Sequence, residues 1–181
     1  MAVKQTQPVL GAGKTYLTDM KEETAVNWPF SGPFLPPRVE ENPGSKNRAR
    51  VRVKGEVSPH GLFMHAPGGG PPGEKGPPGE KEPPGPGGAS VSISYRLGKE
   101  FHTFNAGVSL NDSAPANFDG MVFVVYCDDK EKWRSKKITS QAEQEPCRIP
   151  VNGVNMLKIE VQFQGPAKGA HPVWVEPHLL K

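Results

Sequence analysis

The sequence is poor in cysteine and has no long hydrophobic run. Cys127 and Cys147 are the two cysteines in 181 residues, too few for a disulfide framework. They could form one bridge between neighbouring strands or stay as two buried thiols, so the redox compartment is left open. No apolar stretch approaches the roughly 20 residues that span a bilayer, and the opening MAVKQTQPVL lacks the apolar segment of a signal peptide. No membrane partner is predicted, and the localisation stays unknown.

Charge of one sign and catalytic motifs are scarce as well. The formal net charge of +3 is too weak to indicate nucleic acid, and no nucleic-acid partner is predicted. The five histidines are scattered, without the i, i+4 spacing of a metal pair. GAGKT at 11–15 looks like the end of a phosphate-binding loop, but Pro8 stands where that motif requires its first glycine. We therefore predict that the chain is not an enzyme and requires no cofactor.

Glycine and proline, in contrast, are abundant at 21 residues each, and nine of the glycines and seven of the prolines fall within 68–88. Glycine recurs at every third position early in this collagen-like tract, but Glu82 stands where a triple helix requires glycine. The unbroken part is only a few triplets long, too short to trimerise stably by itself. We interpret 68–88 as an extended, solvated insertion between two strands. An oligomerising or docking stalk is the alternative.

Apolar and polar residues alternate through much of the remaining chain. The alternation is clear in SVSISYRLG (90–98) and LKIEVQF (157–163), whereas MVFVVYC (121–127) is apolar throughout. Period two is typical of half-buried antiparallel strands, and a short apolar run fits a central strand. Turn residues separate these runs, and no stretch shows a helical period. The pattern predicts an all-β fold, a jelly-roll β-sandwich of about 8–10 antiparallel strands with a Gly/Pro-rich inserted loop.

Two segments carry residue types that suit carbohydrate binding. A sugar site requires an aromatic face for stacking and planar polar groups for the hydroxyls. HPVWVEP (171–177) supplies Trp174 beside His171, and the loop 111–119 supplies Asn111, Asp112 and Asp119. Trp174 could instead be a core residue, and the loop could be ordinary turn chemistry. Residues 111–113 also have the form of an N-glycosylation acceptor.

Several segments, taken in order, resemble the NPCBM family of carbohydrate-binding domains. The most specific are GLFMHAP (61–67) and HPVWVEPHL (171–179), with YLTDM (16–20) opening the series. The resemblance implies a jelly roll related to galactose-binding-like domains, and non-catalytic binding of galactose-type sugars. It also implies a structural calcium ion in many members, and a setting in multidomain bacterial proteins that are often extracellular.

The resemblance also carries expectations for single residues. His65, His171 and Trp174 lie in the family's recurring segments and become candidate sugar contacts, while Asp19 becomes a candidate calcium ligand. One turn departs from the family pattern. Where the family usually has Asp-Gly, this chain has Asp-Asp-Lys at 128–130, and we expect the tight turn to be lost there.

These observations predict an N-terminal tail at 1–13 and one domain at 14–181 that the insertion 68–88 interrupts. The predicted function is a non-catalytic carbohydrate-binding module that targets a larger protein to a galactose-type or related glycan. Other domains of that larger protein would be further partners. The alternative is a protein–protein interaction or scaffold module on the same sandwich, and a small hydrolase is a third hypothesis.

Overall fold

The computed structural model describes residues 13–26, 51–64, 90–114, 119–165 and 170–181. These residues form twelve strands and a single 3-10 turn at Leu17–Asp19. The strands are β1 Lys14–Tyr16, β2 Glu22–Val26, β3 Arg52–Val53, β4 Glu56–Val57, β5 Leu62–Phe63, β6 Ser90–Arg96, β7 Thr103–Leu110, β8 Met121–Cys127, β9 Lys130–Arg134, β10 Gln144–Pro150, β11 Met156–Phe163 and β12 Pro172–Leu180. No helix in these ranges is long and apolar enough to cross a membrane.

The strands form two five-stranded antiparallel sheets and one small hairpin. The front sheet has the order β1-β12-β7-β10, with β5 also paired to β12. The back sheet has the order β2-β6-β11-β8-β9, and β3 pairs with β4 alone. The chain crosses between the sheets at every connection from β6 to β8 and again from β9 to β12. This topology confirms the predicted all-β, jelly-roll sandwich.

The core lies between the two sheets, as the period-two pattern predicts. Alternate residues of β7, β8 and β11, with Trp174 and Leu179 of β12, enter one apolar cluster that joins both sheets. Cys127 of the back sheet and Cys147 of the front sheet both belong to this cluster, and both are free thiols. Burial raises the pKa of Cys147 to about 12, and it also raises the pKa of Cys127.

A two-residue turn closes the hairpin between β8 and β9. Asp128 and Asp129 have φ values of 46° and 63°, and Cys127 pairs directly with Lys130. Positive φ at both central residues is the geometry that matches the twist of a two-residue hairpin. The expectation that the tight turn is lost here was therefore wrong, because aspartate tolerates the left-handed conformation that glycine adopts elsewhere.

The predicted strands at 90–98, 121–127 and 157–163 coincide with β6, β8 and β11. The total of twelve exceeds the predicted 8–10 because β3, β4 and β5 are two-residue strands that no alternation can reveal. The insertion 68–88 and all of the predicted tail except Gly13 lie outside the described residues. The domain boundaries therefore stay predictions.

Candidate functional site

The two segments with predicted sugar contacts meet at one end of the sandwich. Leu110 at the end of β7 pairs with Pro172 at the start of β12, so the loop after 110 and the loop before 172 lie together. The Asn111 backbone N–H donates to the His171 carbonyl at 2.8 Å. The Ser113 hydroxyl lies 2.7 Å from His171 Nδ1. We call this group of residues, 111–113 with His171, the loop-end cluster.

Within this cluster, Asn111 is a structural residue. It is 8% exposed, its Oδ1 accepts a hydrogen bond from the Arg52 N–H at 2.7 Å, and its Nδ2 donates to Ser113 Oγ at 2.6 Å. Both ends of the amide are therefore used inside the protein. The candidate assignment of Asn111 as a sugar contact is corrected on this ground, and a buried, bonded amide is equally unsuited to glycosylation.

Asp112 is likewise occupied by the protein. Its two carboxylate oxygens accept hydrogen bonds from the backbone N–H groups of Lys54 and Gly55 at 2.7 and 2.8 Å. Both of these turn residues have positive φ, 55° and 81°. Asp112 thus holds the β3–β4 hairpin against the loop-end cluster. The alternative of ordinary turn chemistry describes this residue better than sugar recognition does.

The hairpin covers part of the front sheet. Val51 and Val53 form a second apolar cluster with Val173, and Phe63 and Val175 pack against it. The Phe63 ring lies 5.0 Å from the His171 ring, centroid to centroid, at an interplanar angle of 53°. Both rings are half-buried. His171 therefore contacts both a hydroxyl and an aromatic ring, which is a combination that suits a sugar.

Trp174 requires a correction. Its exposed fraction is 0%, and its ring lies between the sheets, 5.3 Å from Phe123 in an edge-to-face contact and 6.3 Å from Phe104. Its Nε1–H donates to Met64 Sδ at 3.1 Å. A fully enclosed ring offers no face to a sugar. The core role, weighed as the alternative, is the one the structure shows.

The remaining candidates are dispersed. Asp119 is exposed just before β8, where it packs so closely on Gly165 that a side chain at 165 would collide with it. Asp19 is exposed at the end of the 3-10 turn. Across the described parts of the chain, no three His, Cys, Asp or Glu side chains gather as a metal site would require. His65 lies outside the described residues.

Glu176 has a structural role that the sequence does not indicate. The register of β12 against β7 shifts between Val175 and His178, and Glu176 in this bulge has a φ of 47°. Its carboxylate accepts hydrogen bonds from Ser58 Oγ at 2.7 Å and the His60 N–H at 3.0 Å. These bonds fix the loop 58–61 to the front sheet. A bulge depends on pairing between distant strands, so no local sequence pattern indicates it.

Comparison with known proteins identifies relatives of this fold. A family model described as the NPCBM/NEW2 domain matches residues 87–180, just over half of the chain. A solved CBM51 domain of GH95 from Clostridium perfringens, in complex with methyl-galactose, is 18% identical with a TM-score of 0.62, covering 92% of this chain and 99% of that one. The comparison with curated proteins gave no match.

Two further solved structures come from ZmpB of Clostridium perfringens. One holds the M60 catalytic domain with CBM51-1 and CBM51-2; it is 18% identical with a TM-score of 0.60, covering 94% of this chain and 15% of that one. The other holds CBM51-2 in complex with GlcNAc and INT domains; it is 15% identical with a TM-score of 0.60, covering 93% and 32%. At these identities the likeness shows the fold alone, and this chain spans a small part of both ZmpB structures.

Proposed function

Because the chain belongs to the NPCBM family, we propose that it is a non-catalytic carbohydrate-binding module for a galactose-type or related glycan. The observation that carries the proposal is the family match, which runs from before β6 to the end of β12 and includes most of both sheets. The similar CBM51 domain in complex with methyl-galactose supports the choice of sugar class.

We place the sugar at the loop-end cluster. Ser113 is exposed, and the rings of His171 and Phe63 are half-buried. A hydroxyl and an imidazole supply hydrogen bonds to sugar hydroxyls, and an aromatic ring supplies apolar contact with the pyranose. Such a site is small, so a single module binds weakly. In a larger protein that binds the same glycan through another module, tethering raises the effective concentration of this one and makes its weak binding useful.

The roles of nearby carboxylates support a non-catalytic function. Glycoside hydrolysis requires two carboxyl groups directed at the bond that is cleaved. Asp112 accepts hydrogen bonds from two backbone N–H groups of the hairpin, and Glu176 accepts from Ser58 and His60. Both carboxylates are thus directed at the protein itself.

A glycan array on the full chain tests the proposal, with circular dichroism to confirm folding. We expect binding to galactose-type glycans, and we expect His171→Ala to reduce it at least tenfold. His102→Ala is the matched control, because His102 is an exposed histidine at the opposite end of β7, bonded to Asn152. A folded protein that binds no neutral, acidic or sulfated glycan would refute the proposal.

The scaffold alternative has one observation in its favour. Asn111 and Asp112, two of the predicted sugar contacts, hold the hairpin instead. The ZmpB structures place similar domains within multidomain chains, and we propose other domains of a parent protein as partners in either case. Activity on nitrophenyl glycosides would instead support a hydrolase.

A structural calcium ion at Asp19 stays a prediction. Among the described residues, no two further His, Cys, Asp or Glu side chains gather with Asp19. Backbone carbonyl groups would therefore have to supply most ligands of a calcium site. Calcium should then raise the Tm of the wild-type chain and leave that of Asp19→Asn unchanged. An equal Tm with calcium and with chelator would exclude the site.

A further inference from the structure

A row of four side chains crosses the front sheet on its outer face, the face turned away from the back sheet. Tyr16 of β1 pairs with His178 of β12, His178 pairs with Asn105 of β7, and Asn105 pairs with Arg148 of β10. Neighbouring strands lie about 4.8 Å apart, so the row is roughly 14 Å long. We call these four residues the cross-strand row.

The burial pattern shows which way the row faces. The residues next to its members along the strands, such as Phe104, Cys147 and Leu179, belong to the apolar core between the sheets. Successive side chains of a strand point to opposite faces. The row therefore lies on the outer face, where Arg148 is exposed and its other three members are half-buried.

Two members of the row have unused polar groups. Arg148 takes part in none of the four ion pairs among the described residues, and neither Arg148 nor Asn105 has a side-chain hydrogen bond within that part of the chain. A half-buried amide without a partner costs free energy unless water or a ligand satisfies it. The guanidinium presents a planar fork that matches a carboxylate or sulfate group.

The other two members form an aromatic end. The Tyr16 ring stacks on His60 at 3.6 Å with an interplanar angle of 6°, and it lies 5.7 Å from the His178 ring. His178 Nδ1 is 2.7 Å from the Glu176 carbonyl. A carbonyl can only accept, so Nδ1 carries the hydrogen and Nε2 of the neutral ring is an acceptor for a sugar hydroxyl.

Beside the row, protein side chains occupy the space over the Gly107 backbone. Gly107 lies two residues from Asn105 on the same face of β7 and is half-buried. A side chain at this position would come within 3.2 Å of Gln144 and 3.3 Å of Val175. Glycine at this position therefore accommodates the Gln144 and Val175 side chains, and the ligand contacts are left to the four members of the row.

We propose that the cross-strand row binds an oligosaccharide that carries a carboxylate or sulfate group. A pyranose ring packs at the Tyr16 and His178 end, Asn105 bonds its hydroxyls, and Arg148 pairs with the anionic group. This inference rests on the proposed function, because it assumes a carbohydrate ligand. It adds a second surface, which the β3–β4 hairpin separates from the loop-end cluster on the same sheet.

Titration calorimetry of the full chain tests this surface with three probes: neutral galactan oligomers, galacturonate oligomers and sulfated galactan oligomers. We expect at least one anionic probe to bind ten times more tightly than the neutral one. Arg148→Ala should remove this advantage, and Asn105→Ala should weaken anionic binding several-fold. Arg148→Lys keeps the charge but loses the planar fork, so it should restore only part of the affinity.

Arg96→Ala is the matched control, since Arg96 is an exposed arginine of the back sheet and its loss changes the net charge equally. Equal effects of Arg148→Ala and Arg96→Ala would show non-specific attraction and overturn the proposal. Equal affinity for all three probes would overturn it too. If His171→Ala alone abolishes binding, the proposed function stands and the row is refuted; if no glycan binds the wild type, the proposed function fails first.

Discussion

Replacement of Trp174 should destabilise the domain rather than remove a sugar contact. The indole is fully enclosed and contacts Phe104, Phe123 and Trp133 across the core, with centroid distances between 5.3 and 6.4 Å. Because β12 is the second strand of the front sheet and Phe123 lies in the back sheet, the ring joins the two halves of the sandwich. Its N–H bond to Met64 also ties the residue after β5 to β12.

The magnitude follows from the volume removed. Trp→Ala at a fully buried position costs about 3–5 kcal/mol, a large part of the roughly 5–15 kcal/mol that stabilises a typical domain. In a chain of this size each kcal/mol lowers the Tm by about 2–4 °C. We therefore expect Trp174→Ala to lower the Tm by roughly 6–20 °C. Trp174→Phe keeps most of the apolar volume and should lower it less.

Urea unfolding followed by far-UV circular dichroism measures this cost, and glycan binding is then measured at a temperature where each variant is folded. Trp174→Phe should bind like the wild type. His171→Ala should show the reverse pattern, with lost binding and a nearly unchanged unfolding midpoint. A stable Trp174→Ala variant without glycan binding would refute the core assignment, because only an exposed ring could give that result.

Three other outcomes are expected. Asp112→Ala removes the acceptor for the Lys54 and Gly55 N–H groups; it should cost about 1 kcal/mol and speed amide exchange in 52–57, and unchanged exchange there would contradict the bracing role. Burial raises the pKa of Cys147 from 9.0 to about 12, so the unfolded chain binds fewer protons than the folded one between these pH values. Stability should therefore fall as the pH rises above 9. The urea midpoint should drop less between pH 8 and pH 10 in Cys147→Ala than in the wild type, and equal drops would contradict the assignment. Deletion of 69–88 with the flanking strands rejoined should change the Tm little, whereas loss of folding would mean that the insertion is integral.

The strands of the sandwich could be predicted where the physics is local. The back-sheet strands β6, β8 and β11 are long and apolar on one or both faces, so the period of their sequence reveals them. The edge strand β10 is harder to predict. Pro146 and Pro150 lie in it, and prolines ordinarily indicate a loop; an edge tolerates them because one side of the strand makes no ladder bonds.

The site could be predicted only in part. The chemistry of the 111–113 and 171 segments was visible, and the structure brings them together. Whether an amide or an indole is available to a ligand depends on its neighbours in space, so Asn111 and Trp174 were misassigned. The cross-strand row could not be predicted, because its residues are at positions 16, 105, 148 and 178 and only the strand register aligns them.

The pairing of β1 with β12 has a mechanical consequence. Lys14 lies opposite Leu180 and Tyr16 opposite His178. The start of β1 and the end of β12 therefore lie side by side at one end of the sheet. Tension applied at both of these ends would open the three pairs one after another, as in unzipping, instead of shearing them together. Tyr16, in the last of these pairs to open, would then leave the sheet, while His178, Asn105 and Arg148 stay on it. A pulled module would therefore lose Tyr16 from the row and keep His178 together with the anion-binding residues.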